Sequence, residues 1–126
     1  MKGGASMSWN LDSDRPIFAQ IVEHLQYDII SGVYQPGQKL PSVRDLAAMA
    51  SVNPNTMQRA LSELERDGYM HSERTAGRFI TEDTNMIQEL KTQLATAQIQ
   101  EFLESMKKMG LTKEEILNLV EKSLKE

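Results

Sequence analysis

Leu40-Pro41-Ser42-Val43-Arg44-Asp45-Leu46-Ala47, followed by Val52-Asn53-Pro54-Asn55-Thr56-Met57 and Ala60-Leu61-Ser62-Glu63-Leu64, is the stretch that decides the fold. Ser42 is placed to accept from the amide three residues on, and Asp45 to reach back, a capping box with Asp in place of Glu. Val43, Leu46, Ala47 and Ala50 then form the inner side of a short helix. At a second start Asn53 caps, Pro54 takes the first helical position, where a missing N–H is harmless, and Val52 with Met57 makes a hydrophobic staple. Met57, Ala60, Leu61 and Leu64 recur at helical spacing as its buried stripe, and Gly68 ends it. A short apolar-faced helix, a tight turn and a second helix with a polar outer face describe a helix-turn-helix.

The outer face of the second helix carries the functional signal. From Ser51 to Ser62 there is no acidic residue, while Asn53, Asn55, Thr56, Gln58 and Arg59 gather in the first half of the helix. Amides, hydroxyls and guanidinium groups hydrogen-bond base edges and phosphates, and a recognition helix presents them from its N-terminal half, where the dipole also favours an anion. Glu63, Glu65 and Asp67 stand only at the far end. Beyond Gly68, Tyr69 to Glu73 and Arg78 to Thr81 read as two short strands around Arg74-Thr75-Ala76-Gly77, a candidate wing. Between Lys39 and Arg78 six basic residues face five acidic ones, so the local balance is positive although the chain as a whole carries −4.

Upstream, Ile17, Ile21, Leu25 and Ile29 recur every four residues, with Phe18, Val22 and Ile30 widening the stripe into an amphipathic helix. Pro16 suits its start, Gly32 its left-handed end, and Val33-Tyr34-Gln35-Pro36-Gly37 the turn that follows. Downstream, the stretch from Asn85 predicts a long helix carrying Ile87, Leu90, Leu94, Ala97, Ile99, Phe102, Leu103 and Met106, with a stop at Gly110. Thr112 and Glu115 form a complete capping box with a Leu111–Ile116 staple, opening a last helix with Leu117, Val120 and Leu124. A two-helix hairpin of that size leaves apolar surface over, and a second copy of the chain is the simplest partner for it.

The 126 residues, 40% hydrophobic and 25% charged, predict one globular domain with a short appendage. The absence of cysteine excludes disulfides, thiolate zinc sites and cysteine nucleophiles, and two histidines leave little for histidine chemistry. No paired carboxylates, nucleophile with base, or phosphate-cradling loop is visible, so the expectation is a protein that is not an enzyme and has no cofactor or metal. No apolar run approaches the ~18–20 residues of a membrane span, and a cytoplasmic location is expected. Residues 1–7, with two methionines around a Gly-rich stretch, read as an expression scar ahead of a natural start at Met7.

These residues resemble a known family. Pro36-Gly37, Leu40-Pro41-Ser42, Arg44, Leu46-Ala47, Val52-Asn53, Thr56-Met57, Ala60-Leu61, Leu64-Glu65, Asp67-Gly68-Tyr69 and Gly77-Arg78-Phe79-Ile80 stand in the register of the GntR family of bacterial winged helix-turn-helix transcription regulators, over about Arg15 to Glu82. The stretch after Asp83 is too short for the effector-binding or aminotransferase-like domains of the larger subfamilies and is similar to the two-helix dimerisation tail of the YtrA subfamily. The resemblance implies a mainly α fold with a small β-wing: a winged helix-turn-helix DNA-binding domain over 8–83 and a helical dimerisation tail over 84–126. It also implies Arg44, Asn53, Asn55, Thr56, Gln58, Arg59, Arg74 and Gly77 as DNA contacts. Two positions depart from the family pattern. Pro54 stands where many relatives have Ser or Arg, and Thr75 replaces the first glycine of the usual wing Gly-x-Gly.

The expectation is a homodimeric, sequence-specific regulator of transcription, a repressor, whose recognition helices enter successive major grooves of a near-palindromic operator. Plainer readings stand beside it. Arg44 suits a surface pair with Asp45 or Asp67, Arg59 a solvated helix face, and Asn53, Asn55 and Thr56 the orphan amides of a helix start. His71 reads as a surface or wing-packing residue, His24 as a core-edge one, Trp9 and Tyr34 as core or dimer-facing anchors, and Met86, Met106 and Met109 as packing residues. At the level of the molecule, a winged protein-interaction module and a regulator switched by an unidentified small ligand are the alternatives.

Overall fold

The computed structural model describes residues 9–126; the stretch read as an expression scar, 1–7, lies outside the described residues. The first helix, α1, is Ile17–Ile30, and it buries Ile21, Leu25 and Ile29 on the expected stripe. Pro16 stands at the cap itself and has no side-chain acceptor to offer the first turn. Gln20, buried on the same face, closes that end instead: its amide nitrogen donates to the carbonyls of Asp12 at 2.6 Å and Arg15 at 3.0 Å, and its oxygen accepts from the Asp12 amide at 2.6 Å. A buried amide with all these partners satisfies backbone groups that would otherwise be orphaned. Gly32, at φ +85°, turns the chain out of the helix as expected.

Helix α2 is Val43–Ala50, and the Ser42 hydroxyl accepts from the Asp45 amide at 3.1 Å. The return bond from the Asp45 carboxylate is not made, because that shorter side chain stays in solvent; only half of the expected box forms. Ser51 then takes a left-handed conformation, φ 57°, and the amide of Val52 reaches back to Ala47 at 3.0 Å. Helix α3 is Pro54–Arg66, with Pro54 in its first turn and the Asn53 side chain accepting from the Asn55 amide at 2.7 Å. Met57, Ala60, Leu61 and Leu64 are buried beneath it. With Ile21, Leu25, Leu46, Met70 and Ile80 they form one core, where each large side chain contributes about 1.5–3 kcal/mol of apolar burial.

Two short strands follow, β1 (Met70–Glu73) and β2 (Gly77–Ile80), paired antiparallel with Met70 opposite Ile80 and Glu73 opposite Gly77. They begin one residue later and one residue earlier than the pattern predicts, because Gly77 belongs to the ladder and the connection is only Arg74-Thr75-Ala76. A third segment joins them: the Leu40 amide donates to the Arg78 carbonyl and the Ile80 amide to the Gln38 carbonyl, both at 2.9 Å, and Lys39 bridges Phe79. The sequence gives no sign of this segment, since one bridging residue beside a Pro-Gly turn has no alternating pattern.

The chain divides into two compact units, one ending at Leu90 and the other running Lys91–Glu126. Helix α4 is Thr84–Lys108, and within the first unit its opening residues serve the core: Ile87 packs against it and Leu90 is buried. In the second unit the rest of α4 leads through Gly110, at φ +84°, to α5, Lys113–Leu124. The expected capping box is complete here, with Thr112 Oγ1 accepting from the Glu115 amide at 3.2 Å and Glu115 Oε1 accepting from the Thr112 amide at 2.8 Å. Ile116 is buried, whereas Ile99, Phe102, Met109, Leu117, Leu119 and Leu124 remain exposed.

Candidate nucleic-acid interface

The cap and N-terminal half of α3 display five polar residues, and the acids of the helix, Glu63 and Glu65, stand only in its C-terminal half. Asn53, Asn55, Gln58 and Arg59 are exposed, and Thr56 is half-buried in a shallow depression shared with Trp9, Leu11, Ile17 and Ser51. Two of the five have internal work as well. Asn53 is the cap, and Gln58 donates to the Ser62 hydroxyl at 3.2 Å one turn on. Arg59 lies over the ring of Phe18, its guanidinium carbon 4.4 Å from the ring centroid, so α1 supports it from behind. No hydrogen bond or ion pair within the described residues occupies its donors.

Arg44 is the second residue of α2 and is exposed. It pairs with neither Asp45 nor Asp67, so the surface-pair reading does not describe it. The residues beside it, Ser42, Val43 and Asp45, form one wall of a groove of about 730 Å³ whose other wall is the wing, with Ser72, Glu73 and Thr75 to Arg78 lining it. Arg74 is exposed at the wing tip. Gly77, at φ +113°, is where a side chain would be strained, and an added Cβ would come within 3.0 Å of Lys39 Cε. The eight residues singled out by sequence thus fall on three elements: five on α3 and its cap, Arg44 on α2, and Arg74 with Gly77 on the wing.

Lys39 was not singled out. The bridge to Phe79 brings this exposed cation to the base of the wing, beside Gly77, and only the unexpected third segment puts it there. A second feature invisible in the pattern anchors the wing. Glu65, at the acidic end of α3, accepts from Arg78 Nε at 3.0 Å and from the Ser72 hydroxyl at 2.9 Å. Burial raises the Glu65 carboxyl, but the hydrogen bonds from Arg78 and Ser72 and the charge of Arg78 outweigh it and hold the group below its ordinary value. Of the two arginines flanking the wing tip, Arg78 is therefore committed inward and Arg74 is free of ion pairs among the described residues.

The histidines behave as packing residues. His71 pairs with Glu73 at 3.1 Å and lies beside Phe79, while His24 stacks on Trp9 with ring centroids 3.7 Å apart. Trp9 and Tyr34 are buried in the core of the first unit. Among the described residues no group of three His, Cys, Asp or Glu side chains is placed to hold a metal, and no helix is long and apolar enough to cross a membrane.

Comparison with known proteins agrees with this geometry. Residues 18–80 match the family described as bacterial regulatory proteins, gntR family, a span that runs from the second residue of α1 to the end of β2 and contains all eight candidate contacts. The HTH-type transcriptional regulator YhcF of Bacillus subtilis is 42% identical over 88% of this chain and 92% of its own length. The HTH-type transcriptional repressor YtrA of the same organism is 42% identical over 56% of this chain and 55% of its own length. Among solved structures, a GntR family transcriptional regulator from Listeria monocytogenes superposes with a TM-score of 0.82 at 39% identity, covering 89% of this chain and 98% of that one. The DNA-binding domain of AraR in complex with operator ORX1 superposes with a TM-score of 0.51 at 27% identity, covering 58% of this chain and 89% of that one. With its winged helix-turn-helix, the acid-free N-terminal half of its recognition helix and these relatives, the chain belongs to the GntR family and is a DNA-binding regulator of transcription.

Proposed function

We propose that the protein is a repressor that binds a near-palindromic operator as a homodimer, with residues 8–83 contacting DNA and residues 84–126 joining the protomers. The observation that carries the reading is the set of three exposed arginines, Arg44, Arg59 and Arg74, that form no ion pair among the described residues and lie on α2, on the acid-free half of α3 and on the wing respectively, in a chain whose net charge is −4. A guanidinium already paired must surrender that pair before it can take a phosphate or a base; these three are ready. Arg44, Thr56 and Arg74, with the close backbone approach that Gly77 allows, fix register on phosphates. Arg59 with Asn55 or Gln58 reads base edges, and Asn53 divides its side chain between cap and contact. Repression is favoured by the likeness to YtrA, a repressor. The protein works in the cytoplasm and catalyses no reaction.

Dimerisation is supported by the apolar side chains that residues 91–126 leave in solvent, Phe102, Leu117 and Leu124 among them. The same patch on a second copy complements it in a two-fold arrangement, which matches a two-fold operator.

Selection of random duplexes by the purified protein at about 0.15 M salt tests the whole reading, since non-specific binding is weakened there. The expected outcome is a two-fold symmetric motif with half-sites one helical turn, about 34–36 Å, apart. Arg59→Ala should lose about 1–3 kcal/mol of affinity and relax one base pair in each half-site. A folded dimer that enriches nothing overturns the operator reading, and an Arg59→Ala variant with the parent preference removes the base-reading role.

A further inference from the structure

Arg59 is held differently from three other arginines. Arg15, Arg66 and Arg78 each lie against a carboxylate, Glu23, Glu63 and Glu65 respectively. Arg59 instead lies over the Phe18 ring at 4.4 Å. The two ways of holding a guanidinium have opposite consequences for recognition. A carboxylate restrains the side chain but occupies N–H donors and cancels the charge. An aromatic face attracts the cation through its quadrupole, restrains the same torsions, and leaves the donors and the charge available.

That difference matters because the guanine edge is read by two N–H groups in a fixed fork, aimed at O6 and N7. A free arginine must lose about 2 kcal/mol of rotamer freedom to be aimed. Phe18 is itself fixed: it is half-buried on α1 and packs against the core that α1 shares with α3. Its place is thus set by the fold and not by the ligand.

We propose that Phe18 is a positioning residue for base readout, a side chain of α1 that holds Arg59 aimed and unneutralised before DNA arrives, so that specificity depends on a helix outside the helix-turn-helix. This rests on Arg59 as the base-reading residue. It gives position 18 a role beyond filling the apolar stripe: an aliphatic residue there keeps the core but releases Arg59.

The test uses the full chain on its selected operator and on operators carrying each alternative base pair at every half-site position. Phe18→Leu, Phe18→Tyr, Arg59→Ala and the Phe18→Leu/Arg59→Ala double variant are compared at one salt concentration, well below each variant's Tm. The expected result is that Phe18→Leu loses about 3- to 30-fold of discrimination, at the same base pair that Arg59→Ala relaxes, and that Phe18→Tyr, which keeps the aromatic face, retains it. The double variant should discriminate no worse than Arg59→Ala alone. A Phe18→Leu variant with a lower Tm but full discrimination at the Arg59-dependent pair overturns the proposal and leaves Phe18 a packing residue. If Arg59→Ala itself discriminates as the parent does, the base-reading assignment fails first and the role of Phe18 with it.

Discussion

Thr75 carries the wing tip at φ 65°, a left-handed conformation that is unfavourable for a β-branched side chain and that glycine accepts freely. The family pattern has glycine at this position, and the structure shows why: the three-residue connection requires positive φ before Gly77 rejoins the ladder. Thr75→Gly should therefore stabilise the chain by the relieved strain less the greater entropy glycine gains on unfolding, a net of about 0.5–1 kcal/mol. Urea unfolding that moves to a higher midpoint with an unchanged m-value is the expected result, and a lower midpoint contradicts the strain argument. At this scale the sequence was legible wherever a residue announces its role by type: Asn53 as cap, Pro54 in the first turn, Gly32 and Gly110 as left-handed ends. It was opaque wherever the role depends on a distant neighbour. Gln20 looks like a polar interruption of the α1 stripe, and only the path of residues 12–15 over the helix end makes it the group that satisfies that end.

At the scale of elements, the helices were readable because each carries its own period and its own stop, whereas the attachment of the wing was not. Glu65 and Arg78 are far apart in sequence and join the far end of α3 to β2, with Ser72 on β1 as the third member. Since the folded carboxyl of Glu65 lies below its ordinary value, its contribution is complete above the unfolded value of about 4.3 and is lost as pH falls through the lower folded one. Glu65→Gln should be less stable than the parent by about 1 kcal/mol at neutral pH, and the gap should close in acid below about pH 4. Chemical denaturation at several pH values checks the sign; a gap that widens in acid contradicts it. The bridge at Lys39 belongs to the same class of hidden feature, a pairing too short to leave a periodic trace.

At the scale of the whole molecule, the apolar surplus was legible in advance, because a two-helix hairpin has more apolar positions than two helices can cover. Ile99 is 56% exposed, Leu117 61% and Leu124 79%, although a solvated helix face has no need of such residues. The charge arrangement of α3 and the wing could also be read in advance. What could not be read was which arginine is spoken for: Arg78 is tied to Glu65, and Arg44 is not tied to Asp45. If residues 91–126 join two protomers, Phe102→Glu should shift sedimentation from dimer to monomer while leaving the first unit folded, and operator affinity should fall by the loss of simultaneous half-site contact, about 10²-fold or more. A variant that still sediments as a dimer places the contact elsewhere.

The Trp9–His24 stack, finally, has a spectroscopic consequence. Trp9 is the chain's one tryptophan, and its tyrosines, Tyr27, Tyr34 and Tyr69, all precede Leu90. Residues 91–126 contain Phe102 alone among aromatic side chains, so light absorbed at 280 nm comes entirely from the first unit. Tryptophan emission therefore follows the docking of the chain around Trp9 against α1 and is blind to fraying of α5, whereas circular dichroism at 222 nm sees both. Melting curves from the two signals separate the stability of the reading head from that of the tail in a single unlabelled sample.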